Sequence, residues 1–374
     1  MRILFFGMPE LGHIIPQLPI ARVFQGRGDE VAWVAGESVA PVLAAEGMEL
    51  LPVGHSVEDV VAEVLRTTGH DLMQGVTVET EAEFFAGARV DLDHDDALRA
   101  ARSWQPDLII AEHFDFIGRL VGAALDVPVA SLAYGPAMIP ETTEAVTVRI
   151  ARRFQERGLT YEPARWYLDT CPPALQLSGW RAPRNRLALR PEAHLVPDGS
   201  APTAASDRGR RPRVLVTFGT VYVVPEVITP ILRELLLQDV DIRVTLGTRA
   251  TAADFDVQSD RLEFVGFTPL AELLIDVDVV VTVGGAGTVL GSLAHGVPLV
   301  VTPMGADQPI HAERVAAAGA GISFPLGAAP DAVARASAMV LADPVYRDIA
   351  RKIAAEIAAM PSPVEVAEHL AAAL

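Results

Sequence analysis

Two stretches of this 374-residue chain open in the same way. Arg2-Ile3-Leu4-Phe5-Phe6-Gly7 and Arg213-Val214-Leu215-Val216-Thr217-Phe218-Gly219 each run from a basic residue through β-prone apolar residues to a glycine. A run that is apolar throughout, not at every second position, has to be covered on both faces. That is the condition of an inner strand in a parallel sheet. The first is followed by a helix-like stretch with Pro16 and Pro19 near its start and then by a strand pattern, Glu30 to Ala35. The second is followed by Val227 to Leu237 and then by Asp241 to Leu246. Strand, helix, strand in both halves predicts an α/β chain of two doubly wound, Rossmann-like domains facing one another, with ligands at the carboxyl edges of the strands. Further strands are predicted at 107–111, 127–132, 279–282 and 299–302.

The length suits two domains at ~100–200 residues each. Residues 196–212 are rich in Pro, Gly, Ser, Arg and Asp and lack apolar periodicity, which marks a linker between a domain at 1–195 and one at 213–374. The last helix is free to pack back on the first domain. Segments 56–96 and 140–193 break the strand-helix rhythm and hold Phe84, Phe85, Trp166, Tyr167 and Trp180. Such insertions line substrate pockets as readily as they fill a core.

A net charge of −18 without a dense Lys/Arg stripe excludes a nucleic-acid partner and disfavours any phosphate at long range. A nucleotide site in this chain must therefore rest on backbone N–H groups and helix N-termini. The single Cys171 forms no internal disulfide and no cysteine-rich metal site. The opening apolar run is interrupted by Pro9 and Glu10, and no stretch offers ~18 unbroken apolar residues. The expectation is a cytoplasmic protein with neither export nor a membrane span; a homodimer stays open.

The strongest chemical signal is Gly284-Gly285-Ala286-Gly287-Thr288, between the strand pattern 279–282 and a helix-like run. Without Cβ atoms a diphosphate can approach the backbone, and Thr288 adds a hydroxyl near the unpaired N–H groups of the helix start. A tight turn that binds nothing is the plainer alternative. The continuation is more specific: Gly296-Val297-Pro298-Leu299-Val300-Val301-Thr302-Pro303, Asp307-Gln308, then Glu313 through Gly321.

From Phe264-Val265-Gly266-Phe267 to Gly321 the sequence resembles the donor-binding signature of nucleotide-sugar glycosyltransferases of the GT-B fold, here of the bacterial, macrolide-type antibiotic kind. The resemblance extends to both termini and is weakest near 56–96 and 140–200. It implies that Gly219 and Thr220 lie near a diphosphate, with Val265, Gly266 and Phe267 beside the base. It also implies that Asp307 and Gln308 hold sugar hydroxyls. Val283 stands where the family commonly has a phosphate-contacting histidine, and Gly291 where plant members carry a ribose-binding glutamate. The latter favours a thymidine (dTDP) donor over a uridine one.

In the first domain, Gly12-His13-Ile14-Ile15-Pro16 puts an imidazole at a strand's carboxyl edge. The resemblance makes His13 the general base toward an acceptor hydroxyl and Glu112 its acidic partner, where relatives more often have Asp, with Asp115 three residues on. Either acid could equally be a residue at a helix N-terminus. Met8, Phe84, Phe85 and Tyr134 are the candidate acceptor contacts. The run Asp91, Asp93, His94, Asp95, Asp96 reads as a solvated helix start and not as a metal site. The resemblance implies an inverting transfer of a deoxysugar to a small natural product, with the nucleotide-diphosphate sugar as co-substrate and neither metal nor cofactor. Two rivals stay open: a nucleotide-sugar epimerase of the same fold, which needs no acceptor pocket, and a non-catalytic auxiliary protein.

Overall fold

The computed structural model describes every residue except 73, 74, 196–209, 221 and 249, so most of the expected linker at 196–212 lies outside the described residues. The chain divides into two compact units. One comprises Met1–Thr170, Trp180–Leu189 and Pro361–Leu374; the other comprises Cys171–Gly179 and Arg190–Met360.

The first unit is built on a seven-stranded parallel sheet. Its strands are β1 (Arg2–Phe6), β2 (Glu30–Ala35), β3 (Glu49–Pro52), β4 (Leu108–Glu112), β5 (Val129–Ala133), β6 (Trp166–Asp169) and β7 (Arg186–Ala188), in the order β3-β2-β1-β4-β5-β6-β7. β5 begins after Pro128, which has no N–H for the ladder but whose carbonyl accepts from Ile109. Alternation along β1 feeds two cores: Ile3 and Phe5 join Trp33, Leu108 and Ile110 on one face, while Leu4 and Phe6 join Val34, Ile109 and Ala111 on the other. Val366, Ala367 and Leu370 of the C-terminal helix Pro363–Ala372 complete the first of these cores.

The second unit carries six parallel strands, β8 (Arg213–Thr217), β9 (Asp241–Thr245), β10 (Leu262–Val265), β11 (Val279–Thr282), β12 (Leu299–Val301) and β13 (Gly321–Ser323), in the order β10-β9-β8-β11-β12-β13. Both sheets reverse strand order once, at β1/β4 and at β8/β11. The loops beyond the carboxyl ends diverge at such points and leave room for a ligand. This is the two-domain α/β architecture of the GT-B fold.

The segment 56–96 is helical, and the acidic run lies within the helix Arg89–Trp104 instead of forming a solvated start. Asp93 and His94 are buried; Asp91 pairs with Arg153 and Arg157, and Asp93 pairs with His55 and lies 3.9 Å from Arg89. The run is therefore largely an anchor for neighbouring helices. Among the described residues, no three His, Cys, Asp or Glu side chains are grouped to hold a metal, and no helix is long and apolar enough to cross a membrane.

Candidate active site

The switch point of the first sheet gathers residues from three strand ends. Beyond β1, Gly7 allows the chain to turn tightly: a Cβ there would stand 2.7 Å from Ile14 Cδ1 and 3.0 Å from Gln17 Nε2. Buried Gln17 fixes this turn, its amide donating to the carbonyls of Phe6 (3.2 Å) and His13 (3.0 Å). No motif in the sequence marked Gln17. His13 sits on the single helical turn Leu11–Ile14, with its side chain 23% exposed.

Glu112 ends β4 and is fully buried. Its Oε1 accepts from the backbone N–H of Phe114 at 2.8 Å, and its Oε2 lies 3.0 Å from His13 Nδ1. An ionised carboxylate only accepts, so Nδ1 carries the ring proton and Nε2 keeps a lone pair. That is the tautomer a general base needs. Tyr134, the first residue after β5, places its hydroxyl oxygen 2.5 Å from the same Nδ1. Its oxygen is thus a second acceptor for that proton, a role more specific than lining an acceptor pocket.

Asp115 is not brought to His13. It caps the helix Phe116–Leu125, accepting from Gly118 N–H at 3.1 Å, and binds Arg89 Nη2 at 2.6 Å. Burial pushes its carboxyl above the usual range, and the Arg89 guanidinium opposes that rise. Next to Glu112, His113 accepts at Nδ1 from Arg119 and Ser131, and burial, reinforced by Arg119, holds it down at about 3. It stays neutral at physiological pH. Of the expected acceptor contacts, Met8 is buried and Phe85 packs on Phe114 with ring centroids 4.8 Å apart, close to the Glu112 turn. Phe84 instead joins a small satellite cluster with Val60 and Val64. The two rings still meet edge to face, with centroids 5.0 Å apart, at the start of a wide π-turn over Phe84–Ala88, a feature frequent at functional sites.

In the second unit, Gly284 has φ +97°, and a Cβ there would stand 2.7 Å from Val301 Cγ1 and 3.3 Å from the Gln308 carbonyl oxygen. Only glycine fits this loop unstrained. Gly285, at the N-cap of the helix Ala286–Ala294, has no side chain to satisfy the first N–H groups, which stay available to an anion. Gly287 is exposed and Thr288 partly so. Val283 differs from expectation: its side chain is buried in the core cluster of Val216, Phe218 and Val281. Alternation from β11 continues through it and turns it inward.

Gly219 (φ +71°) and Thr220 follow β8, and Tyr222, unmarked in the sequence, brings its hydroxyl near Gly305. Burial and the Asp307 carboxylate both push that phenol's pKa up. Asp307 is 45% exposed and does not cap its own helix, Gln308–Ala318. Gln308 is buried, and its Oε1 accepts from the N–H groups of Met304 and Gly305 at 2.8 and 3.0 Å. Its amide oxygen is therefore committed to the loop, leaving only its NH2 for a ligand. Val265 closes β10, Gly266 follows it, and Phe267 beyond them is exposed. A Cβ on Gly291 would meet Leu270 Cδ2 at 2.6 Å and Ala193 Cβ at 3.3 Å, so a side chain there would have to displace Leu270.

Comparison with known proteins places the chain in a family. Residues 22–190 match the N-terminal domain, and residues 230–373 the C-terminal domain, of the family described as erythromycin biosynthesis protein CIII-like. Elloramycin glycosyltransferase ElmGT of Streptomyces olivaceus is 31% identical over 99% of this chain and 97% of its own. Two solved structures superpose over the whole chain. The Streptomyces sp. SF2575 glycosyltransferase SsfS6 complexed with thymidine diphosphate has TM-score 0.83 and 25% identity, covering 100% and 99% of the two chains. The glycosyltransferase SnogD from Streptomyces nogalater has TM-score 0.80 and 28% identity, with the same coverage. With both domain models matched and a relative above 30% identity along its length, this chain belongs to the erythromycin biosynthesis protein CIII-like family of natural-product glycosyltransferases.

Proposed function

We propose that this glycosyltransferase moves a deoxysugar from a thymidine-diphosphate donor to a hydroxyl of a small natural product, with inversion and with His13 as general base. The observation that carries the proposal is the His13–Glu112 pair at the switch point of the first sheet. A buried carboxylate holds the proton on Nδ1 and leaves Nε2 to take the acceptor's proton. The acceptor oxygen then attacks the anomeric carbon as the carbon–oxygen bond to the diphosphate breaks, and one in-line displacement inverts that centre.

The N–H groups at Ala286–Thr288, the Thr288 hydroxyl and the Gly219-Thr220 turn meet the negative charge that develops on the leaving diphosphate. Stabilisation of this kind is commonly the largest catalytic contribution. These groups need neither a metal nor a cofactor. Asp307 and the Gln308 amide engage sugar hydroxyls, and the exposed Phe267 ring offers a face to the base. A thymidine donor is favoured because Gly291 cannot present a carboxylate to a ribose 2′-hydroxyl, and because thymidine diphosphate is the ligand of SsfS6.

Thermal-shift and calorimetric titration with thymidine diphosphate and uridine diphosphate tests the donor, since a ligand that binds only the folded state raises its melting temperature. Uridine diphosphate binding at least as tightly would refute the thymidine assignment. For the base, His13→Ala should lower turnover ~100-fold or more while thymidine diphosphate affinity is retained.

A further inference from the structure

His311 lies one turn into the helix Gln308–Ala318 and is buried. Its Nδ1 is 2.6 Å from the carbonyl oxygen of Gly284. A carbonyl only accepts, so Nδ1 carries a proton and donates it. On the opposite edge of the ring, Nε2 lies 3.6 Å from Oδ2 of Asp307, just beyond hydrogen-bonding reach. Two polar atoms at that separation can each stand ~2.8 Å from one shared oxygen, the ordinary hydrogen-bond distance. The half-exposed Asp307 carboxylate opens this pair to a ligand.

The other edge of the ring is fixed. The 2.6 Å bond to the Gly284 carbonyl holds it against the glycine loop, where a Cβ on Gly284 would stand 3.3 Å from the Gln308 carbonyl oxygen of the same helix. His311 thus ties the glycine loop to the residues around Asp307 and presents one nitrogen beside that carboxylate.

We propose that His311 Nε2 and Asp307 Oδ2 together bind a single hydroxyl of the donor sugar. The hydroxyl donates to the carboxylate and accepts from Nε2–H. This rests on the donor reading given above. The test titrates the native protein, His311→Asn, Asp307→Asn and the double variant with thymidine diphosphate, dTDP-glucose and dTDP-rhamnose. Asn at 311 can still donate to the Gly284 carbonyl but lacks the second edge. Each single variant should keep its affinity for thymidine diphosphate and lose ~10-fold or more of the extra affinity the sugar supplies, the scale of a hydrogen bond to a charged group. The double variant should be no worse than the weaker single one, because both residues serve the same oxygen.

Equal weakening toward thymidine diphosphate and the nucleotide sugars, or losses that multiply in the double variant, would overturn the pairing. So would a native protein that gains nothing from either sugar. If His311→Asn fails to fold, Asp307→Asn at its half-exposed site still has to show the selective loss. A native protein that does not bind thymidine diphosphate at all overturns the donor reading itself.

Discussion

Replacing Glu112 by Gln tests the proposed base while leaving its shape unchanged. In the native site both neighbours of the carboxylate are donors: Nδ1–H of His13 at 3.0 Å and the Phe114 N–H at 2.8 Å. A carboxylate serves both, whereas a carboxamide has one oxygen and one NH2. With the amide oxygen on Nδ1–H, the NH2 faces the Phe114 N–H, and this buried donor-donor contact costs ~1–3 kcal/mol. With the oxygen on Phe114, the NH2 faces Nδ1, which must then present a lone pair. The ring proton moves to Nε2, the atom that has to receive the acceptor's proton. Tyr134 reinforces this second arrangement, because its hydroxyl at 2.5 Å can donate to a bare Nδ1.

A gap of ~1–3 kcal/mol leaves the productive tautomer populated at roughly a fifth down to under a hundredth. The variant also lacks the negative charge that stabilises the imidazolium as it forms. Together these effects predict a fall in turnover of ~10²–10⁴-fold. The assay is single-turnover transfer from a dTDP-sugar to a hydroxyl acceptor, with thymidine diphosphate affinity as the control. Raising the pH should not rescue the variant, since the tautomer ratio of a neutral ring does not depend on pH. If Glu112→Gln turned over within a few-fold of the native enzyme across the pH range, Glu112 would not orient His13.

Asp115→Asn should act on stability instead. It removes the charge opposite buried Arg89 and leaves one amide oxygen for two donors, the Arg89 guanidinium and the Gly118 N–H, a loss of ~3 kcal/mol that lowers Tm by several degrees while turnover of the folded enzyme at 25 °C stays near native. A Tm left unchanged alongside a turnover loss like that of Glu112→Gln would return Asp115 to the catalytic machinery. Val283→His buries an imidazole in an apolar cluster, so differential scanning calorimetry should show a lower Tm and titration no gain in thymidine diphosphate affinity; tighter binding would mean that the side chain does face the diphosphate. His113 is held at about 3 against 6.5 in the unfolded chain, so the unfolded state binds the extra proton. Its stability contribution is complete above pH ~6.5 and falls by up to ~1.4 kcal/mol per pH unit as pH drops toward 3. Urea melts at pH 7 and pH 5 should show a steeper loss for the native protein than for His113→Gln, and equal slopes would refute the assignment.

What the sequence disclosed and what it hid follow from how far apart the partners lie. The strands β1, β8 and β11 could be read because burial on both faces forces a local apolar run, and Gly284–Thr288 because a tight turn into a helix start demands local glycines. The residues themselves show His13 and Glu112 only one at a time, each at the end of a strand, and it is the family resemblance that pairs them. Their pairing, over 99 positions of chain, exists only because β1 and β4 are neighbours at the switch point. Tyr134 shows the same limit more sharply. In sequence it is one candidate acceptor contact among four, and only the lateral order β1-β4-β5 sets its hydroxyl on His13 Nδ1. Asp115 was misplaced because an acid three residues past a strand end can turn toward the sheet's edge or toward a helix N-terminus. The choice was made by Arg89, from an insertion without strand rhythm. Val283 failed for the opposite reason: the loop was read from its glycines, while the β11 alternation still governs the residue before them and drives it into the core. His311 gave no signal at all, since a histidine inside a helix is chemically silent in sequence. Only the contact of its two ring nitrogens with Gly284 and Asp307, one from a loop 27 positions earlier and one from the preceding turn, gives it work to do.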